Sequence, residues 1–248
     1  MTLPFALSPE AAVFMAVVIF VAAFLRGYSG FGYPVLVIAA GALVMNPLYL
    51  VPAAVMGDLV LGAQHWRASR AHVDWATVRR LALGALLGLI PGLWILLLID
   101  ESTARIMVSV MVLLACVVML GGWTVPGHAG PAATLGMGVV SGLSAAAGVA
   151  GPPAVMLVAA LGLAPLVFRA TLLAYFMLLD TMVVIQFTLA GRVDHQGLTL
   201  AALSVPLVIL GSWLGARRVM HTDPKRFRQV TIAMLALMAV IGLIKVWL

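Results

Sequence analysis

The sequence predicts an all-α, polytopic integral membrane protein with two similar halves, and three observations lead to this fold class. Hydrophobic residues make up 64% of the 248 residues and charged residues only 9%, whereas about a quarter of the residues in a soluble domain are charged. Uncharged runs of about 20 residues recur, long enough for a helix to cross a hydrocarbon core of about 30 Å. The same order of segments occurs twice. Because the runs are continuous and do not alternate, they exclude a transmembrane β-barrel.

Each predicted half starts with two short hydrophobic segments around a glycine- and proline-rich break and continues with three longer segments. In the first half these segments are 9–26 and 33–46 around the break, then 47–66, 77–99 and 103–123. In the second half they are 131–147 and 152–163, then 166–189, 196–215 and 228–247. We therefore expect two membrane repeats, 1–123 and 131–248, joined by a polar linker at 124–130.

An ordered series of matching residues indicates that the two halves arose by internal duplication. Three residues near the start of one half recur 118 positions later in the other: Gly30 and Gly148, Pro34 and Pro152, Pro47 and Pro165. Further along, HVD at residues 72–74 answers RVD at 192–194, and GLW at 92–94 answers GSW at 211–213. Chance could supply one or two such matches, but not the whole ordered series.

The positive charges lie beside hydrophobic segments, as the positive-inside rule expects of short cytoplasmic loops. Nine of the fourteen basic residues occur in two stretches: Arg67, Arg70, Arg79 and Arg80, then Arg217, Arg218, Lys225, Arg226 and Arg228. The net charge of +6 therefore indicates a membrane protein in contact with lipid and excludes nucleic acid as a partner.

The two basic stretches occupy different loops of the two halves, which bears on their orientation. If the two short segments around each break count as one broken element, the first stretch lies between the second and third elements of its half, and the second stretch lies between the third and fourth elements of the other half. The basic loop therefore has a different position in each half, which predicts repeats of inverted topology, provided that each broken element is a re-entrant hairpin that enters and leaves on one side. The alternative is eight ordinary crossings in two parallel repeats.

Two breaks, RGYSGFGYP at residues 26–34 and SAAAGVAGPP at residues 144–153, interrupt the hydrophobic pattern. A break inside a bilayer exposes backbone N–H and C=O groups, which protein, water or a ligand must pair. Half-helix N-termini carry partial positive charge and bind anions without a basic side chain. The predicted anion-binding residues are Ser29, Gly30, Phe31, Gly32, Gly148, Val149, Ala150 and Gly151. The alternative interpretation is that the glycines only permit close helix packing.

Two acidic residues, Asp58 and Asp180, lie in the middle of corresponding hydrophobic segments. A carboxylate in the hydrocarbon region is costly and usually faces a cavity or a partner. Both are candidates for carrying a proton that couples anion movement to the proton gradient, and the alternative is a structural ion pair with Arg26 or Arg169. Either arginine could instead bind the anion, since the guanidinium matches sulfonate or carboxylate oxygens, or could extend to lipid headgroups.

The sequence predicts no metal site, no cofactor and no catalytic group. Cys116, the single cysteine, lies in a hydrophobic run and is interpreted as a small core residue. His128 and His195 stand alone, without metal-ligand spacing. Glycines four residues apart predict close helix packing: Gly84, Gly88 and Gly92, Gly138 with Gly142, and Gly211 with Gly215.

The motif GYSGFG at residues 27–32, followed by a helix that begins at a proline and by a second copy of this design, resembles the TauE/SafE family of sulfite and organosulfonate exporters. The resemblance covers essentially the whole chain in length, number of hydrophobic segments and duplication. The family's first motif usually continues with more glycine, where this chain has Tyr33, and its second motif is richer in glycine than AGVAG at residues 147–151. These departures from the family's motifs leave less space in the predicted site.

The resemblance implies a secondary transporter of the bacterial inner membrane that exports a small sulfur-containing or carboxylated anion, linked to the proton gradient. One repeat would move against the other to give alternating access. An anion channel, a membrane scaffold and an intramembrane enzyme are the alternatives, and a homodimer is left open. Enzyme activity is not expected, because the Asp, His and Gln residues are scattered along the chain.

Overall fold

The computed structural model describes residues 7–100, 102–103, 106–107, 110 and 130–218, and all regular structure in these residues is helical. Eight helices are described in full: α1 (Pro9–Ser29), α2 (Tyr33–Gly41), α3 (Pro47–Ser69), α4 (Trp75–Leu98), α5 (Pro131–Ala145), α6 (Gly151–Ala160), α7 (Pro165–Leu189) and α8 (His195–Arg218). A 3-10 turn at Arg70–His72 follows α3. The predicted all-α class is therefore confirmed for the described residues.

The helix bounds agree with the predicted segments to within three residues, except that α2 ends at Gly41, five residues before the predicted end at 46, because residues 42–44 form a turn. α1 continues to Ser29, beyond the predicted end at 26, because Gly30 closes the helix: its φ is 86° and its N–H donates to the Arg26 carbonyl at 2.8 Å. A left-handed residue of this kind commonly ends an α-helix. The predicted segments 103–123 and 228–247 lie largely or wholly outside the described residues, as does Cys116.

Four of the described helices are long and apolar enough to cross a membrane: Pro9–Tyr28, Trp75–Leu98, Leu166–Leu189 and His195–Arg217. α3 has a similar length, 23 residues, but is less apolar because it contains Asp58 and a polar C-terminal end. α2 and α6 have 9 and 10 residues. At 1.5 Å per residue they reach about 15 Å, half of a hydrocarbon core of about 30 Å. Neither short helix is long enough to cross alone.

α2 folds back along α1, so the first break is the tip of a helical hairpin. Gly41 at the end of α2 packs against Met15 of α1, where a Cβ at Gly41 would lie 3.2 Å from the methionine Cε. Tyr33 and Val37 of α2 border a small apolar cavity together with Met15 and Ile19 of α1. The end of α2 therefore lies at the level of the first turns of α1.

Two pairs of helices, α4 with α5 and α1 with α8, pack through glycine faces. On α4, the glycines face successive carbonyls of α5: Gly84 faces Leu135, Gly88 faces Val139 and Gly92 faces Leu143. On α8, the order is the same: Gly211 faces the Phe20 carbonyl of α1 and Gly215 faces that of Phe24. Because residue numbers rise together in both partners, each pair runs in the same direction. The predicted packing role of these glycines is confirmed.

α3 and α7 pack against each other in opposite directions and connect the two glycine-packed pairs. Gly62 of α3 lies against Met177 of α7, whereas Asp58, one turn earlier on α3, lies beside Asp180, about one turn later on α7. α3 also contacts α8, and α7 also contacts α4. The two buried acidic residues are thus placed where the halves of the chain meet.

We expect Gly88→Ala to lower the stability by about 1–3 kcal/mol, the usual result of inserting a methyl group into a packed interface. The new Cβ would overlap the Val139 carbonyl oxygen, so α4 and α5 would have to separate. Thermal unfolding of the purified protein in detergent measures this loss. Gly136→Ala on α5 is the matched control, because its Cβ would meet no described atom within 4 Å. Equal melting temperatures for the two variants would contradict the glycine-mediated packing.

Asp74 forms the N-cap of α4. Its carboxylate accepts hydrogen bonds from the N–H groups of Ala76 at 3.0 Å and Thr77 at 3.3 Å, and from the Thr77 hydroxyl at 2.7 Å. Its own N–H donates to the Thr171 hydroxyl of α7 at 3.1 Å. Partial burial raises the pKa of Asp74, but the hydrogen bonds from Thr77 and Ala76 outweigh it and hold the pKa below its ordinary value of 3.8.

This cap predicts a pH dependence of stability. Because the pKa of Asp74 is lower in the folded protein, the carboxylate stabilises the fold above its ordinary pKa of 3.8 and loses that contribution as the pH falls through the folded value. At neutral pH we expect Asp74→Ala to be less stable than wild type by about 1 kcal/mol, the effect of one helix cap. The difference in melting temperature should shrink in acid. A difference that is the same at acid and neutral pH would refute the role of the charged cap.

Candidate functional site

A cavity lies between the two breaks and is bordered by residues from both halves of the sequence. Its volume is about 20 Å³, which is room for about one water molecule. The first half contributes Gly32, Pro34, Val35, Val55 and Asp58. The second half contributes Ala145, Gly148, Ala150, Gly151, Phe176, Asp180 and Val183. The side chains around the cavity are thus apolar except for two carboxyl groups.

The first break presents the N-terminus of α2 to this cavity. Gly30 and Gly32 both have a left-handed backbone, with φ of 86° and 98°, and this lets the chain reverse over a few residues. Gly32 is the N-cap of α2, and no side chain in the described structure caps the helix there. The first N–H groups of a helix have no acceptor within the helix, so α2 directs unpaired donors and partial positive charge toward the cavity.

The second break is held by a chain of hydrogen bonds that reaches α7. Tyr175 donates to the Ser141 hydroxyl at 2.7 Å, and this hydroxyl donates to the Ala150 carbonyl at 2.8 Å. Gly148 makes the turn with a φ of 75°. α6 then begins at Gly151 without a side-chain cap among the described contacts, and two prolines follow. Because proline has no N–H, α6 offers the cavity fewer backbone donors than α2 does.

The second break contacts helix α2. Gly148 lies against Ile38 of α2, and the Cδ1 atom of this isoleucine would overlap a Cβ at position 148. By contrast, a Cβ at Gly32 or Gly151 would meet no described atom within 4 Å. Gly148 is therefore needed for the close approach of the second break to α2, whereas the space beside Gly32 and Gly151 is open.

Asp58 forms a buried ion pair with Arg26. The Nε of Arg26 donates to Oδ1 at 2.7 Å and its Nη2 donates to Oδ2 at 3.3 Å. The two side chains are only 4% and 3% exposed. The guanidinium carbon of Arg26 also lies 5.8 Å from the ring centre of Phe176, a residue of the cavity wall. The structural ion pair that the sequence analysis considered is thus present for Asp58.

Asp180 has no corresponding bond to a basic residue among the described contacts. Its carboxyl group is buried beside that of Asp58, within hydrogen-bonding reach, and its Oδ2 atom has no hydrogen-bond partner in the described part of the structure. Phe176 and Val183, one turn away on either side, line the cavity with it. Two acidic side chains therefore meet at the cavity, and the arginine binds only one of them.

Basic side chains lie near the tip of the first hairpin. Arg169 of α7 is exposed and lies beside Gly30, where a Cβ would be 3.7 Å from the arginine Nε. His65 of α3 shares a hydrogen bond of 2.9 Å with Ser212 of α8. Both Arg169 and His65 interact electrostatically with Arg26. Because Asp58 neutralises Arg26, Arg169 is the basic side chain of this group that gives the region around the first break a positive potential, which attracts anions.

The structure brings part of the predicted site together. The predicted residues at the cavity are Gly32, Gly148, Ala150, Gly151, Asp58 and Asp180. The predicted residues away from its wall are Arg26, Gly30, Phe31, Val149 and Arg169, and the side chain of Ser29 lies outside the described part of the structure. Among these, Val149 is buried in the apolar core and Phe31 packs against that core. The two predicted arginines have different environments, because Arg26 is buried in an ion pair and Arg169 is exposed.

Three residues that shape the site were not predicted: Phe176 in the cavity wall, and Tyr175 and Ser141 in the hydrogen-bond chain. A usable signal for Phe176 is its position four residues before Asp180, since residues four apart share one face of a helix. The bond between Ser141 and Ala150 has no such signal, because it depends on how α5 and the break fold together.

The comparison with known proteins agrees with this architecture. The model of the family described as "Sulfite exporter TauE/SafE" matches residues 15–241, which is most of the chain and includes both breaks. The chain belongs to this family. The resemblance noted from the sequence is thereby confirmed. Membership in the TauE/SafE family, together with the four apolar helices, identifies a multi-pass exporter protein of the bacterial inner membrane and not an enzyme.

A curated relative of the family supports the same assignment. It is a protein of Cupriavidus necator named "Probable sulfite/organosulfonate exporter TauE", and it is 27% identical to this chain over 217 residues. The aligned region covers 84% of each of the two chains. No solved structure matches the chain.

We expect Arg26→Met to destabilise the protein strongly, by about 3–5 kcal/mol, because it leaves the Asp58 carboxylate buried without its partner. The double variant Arg26→Met with Asp58→Leu should recover most of this loss, since apolar residues of similar size often replace a buried ion pair at little cost. Thermal unfolding of both variants in detergent gives the comparison. A double variant no more stable than Arg26→Met would show that the pair is not the source of the effect.

Proposed function

We propose that the protein is a secondary transporter that exports a small anion of the sulfite or organosulfonate class through the cavity between the two breaks, linked to the proton gradient. The observation that carries this proposal is that two half-helices, α2 and α6, begin at the same cavity. An anion there would accept hydrogen bonds from backbone N–H groups and would meet the positive ends of two helix dipoles. The relative from Cupriavidus necator, named as a probable sulfite/organosulfonate exporter, supports this class of substrate.

The cavity wall favours an anion that is small and partly apolar. The backbone donors of α2 suit the oxygens of a sulfite or sulfonate group. The side chains of Val35, Val55, Val183 and Phe176 would contact the organic part of a sulfonate. Arg26 donates its hydrogen bonds to Asp58 and is not part of the cavity wall, so the anion would bind mainly to backbone N–H groups. In this proposal Arg169 attracts the anion to the first break but does not hold it.

The proposed transport cycle uses two inverted repeats, 1–123 and 131–248, joined by residues 124–130. The helix contacts support this division, because α1 packs on α8 as α5 packs on α4, while α3 and α7 pair in opposite directions. Exchanging the halves maps the main helix contacts onto one another, as expected for repeats related by a twofold axis in the membrane plane. The hydrophobic segment 103–123 would then supply the crossing required between the parallel helices α4 and α5.

The size of the cavity supports a cycle with a conformational change. A volume of about 20 Å³ holds about one water molecule and is too small for a sulfonate. Anion binding would therefore widen the space between the breaks, and movement of one repeat against the other would open it to either side. Export of a negative charge is favoured by the inside-negative membrane potential, by about 2.3 kcal/mol for each charge and 100 mV.

We expect Gly151→Ala to weaken transport without unfolding the protein. Its methyl group would meet no described atom within 4 Å and would occupy space at the cavity, so the anion would lose room and one backbone donor would be shielded. In proteoliposomes supplied with sulfite, an alkylsulfonate, sulfate or acetate, wild type should give saturable flux for sulfite or the sulfonate. Gly151→Ala should raise KM by about tenfold, equivalent to about 1.4 kcal/mol.

Gly136→Ala is the matched control for this experiment, because it also adds a methyl group where no described atom lies within 4 Å but is far from the cavity wall. It should transport like wild type. Flux that does not saturate would identify a channel, and absence of flux from folded wild-type protein across the whole panel would overturn the proposed function.

A further inference from the structure

The two carboxyl groups at the cavity differ in their hydrogen-bond partners, and this difference indicates separate roles for them. Asp58 is bound by Arg26 through two hydrogen bonds, so this pair is electrically neutral. Asp180 is 6% exposed, and its Oδ2 atom has no partner in the described structure. Asp180 also lines the cavity that the two half-helices enter. An ionised Asp180 would therefore place an uncompensated negative charge in the proposed anion site.

We propose that Asp180 is the proton-binding residue of the transporter and that the anion binds only when Asp180 is protonated. This inference rests on the proposed anion site between the breaks. A protonated Asp180 has an O–H group that can donate to the adjacent carboxylate of Asp58 or to an oxygen of the anion. Asp58 remains ionised and keeps Arg26 in place.

The charges around Asp180 support this division of roles. α3 contributes Asp58 and α1 contributes Arg26, and these two groups cancel each other. Tyr175 on α7 and Tyr33 on α2 are the other titratable groups near the two carboxyls. α5, α6 and the break between them contribute alanine and glycine residues to the cavity wall. α7 contacts α4 through Gln186, an uncharged side chain that donates to the Leu89 carbonyl. No second cation from the described helices neutralises Asp180.

Electrostatics then makes proton and anion binding cooperative. Two like charges about 4 Å apart, at the effective dielectric constant found in proteins, would weaken anion binding by roughly a thousandfold. Protonation of Asp180 removes this repulsion, so the proton and the anion occupy the site together. The proton that leaves with the anion moves outward against the pH gradient, which opposes this step. With a dianion such as sulfite, the complex still carries one negative charge, which the inside-negative potential drives outward. With a monovalent sulfonate, the complex is neutral, and the concentration gradient of the sulfonate drives its export.

The test measures sulfonate binding as a function of pH in purified wild type and in Asp180→Asn. The probe is 2-hydroxyethanesulfonate, because its charge does not change over the range used, unlike that of sulfite. In wild type, Kd should rise by about tenfold per pH unit on the alkaline side, as expected when one proton must bind with the ligand. In Asp180→Asn, which keeps the size of the side chain and is always neutral, Kd should be nearly independent of pH.

One variant serves as the control. Asp194→Asn removes a carboxylate at the start of α8, an exposed position that caps Gly197, and should keep the wild-type pH dependence. Asp58→Asn is not a suitable control, because it would leave Arg26 free to neutralise an ionised Asp180. A Kd that still rises with pH in Asp180→Asn would overturn the assignment.

A second measurement does not depend on the anion. The infrared spectrum of the protein in lipid should show the carbonyl stretch of a protonated carboxylic acid that is present in wild type and Asp194→Asn and absent in Asp180→Asn. Absence of this band from wild type at acid pH would overturn the assignment of Asp180 even if sulfonate is transported. A band with this pattern, without sulfonate binding, would support the proton site and reject the proposed substrate.

Discussion

The pairing of backbone polar groups inside an apolar environment is the constraint on which this structure depends. A helix interrupted in a bilayer must find partners for its free N–H and C=O groups within the protein or in a ligand. The chain meets this requirement by folding α2 back on α1, by bonding the Ala150 carbonyl to Ser141 and by bringing both breaks to one cavity. The backbone N–H groups that remain, at the start of α2, would donate hydrogen bonds to the proposed anion.

Close packing of glycine faces makes the interior arrangement possible. Because Gly84, Gly88 and Gly92 have no side chains, α5 approaches α4 closely enough for its carbonyls to contact the α4 backbone. In lipid, helices associate through such contacts and not through the hydrophobic effect, since the surrounding chains are equally apolar. The same design joins α8 to α1, which leaves α3 and α7 between the two pairs. These two helices therefore carry their acidic residues into the interior.

Much of the fold could be predicted from the sequence because its signals are local. The lengths of the hydrophobic segments predicted the helices, and glycine and proline predicted the breaks, since these two residues determine the backbone conformation at their own positions. The extension of α1 to Ser29 was missed because Gly30 ends the helix by its conformation and not by its hydropathy. Whether Asp58 or Asp180 pairs with Arg26 could not be predicted, because the answer depends on the distance between residues 32 positions apart in one case and 154 in the other.

The carboxyl pair departs from the symmetry of the two proposed repeats. The predicted repeat offset places Asp58 opposite Phe176, one turn before Asp180 on the same face of α7, and the guanidinium carbon of Arg26 lies 5.8 Å from the ring centre of Phe176. The arginine thus binds the carboxylate of one half and contacts the aromatic ring of the other. Had both halves carried the acid at equivalent positions, two carboxylates and one arginine would have competed in the same place. The displacement by one turn separates the Arg26–Asp58 ion pair from a carboxyl that has no counter-ion among the described residues, and a group of the second kind can change its charge without breaking that ion pair.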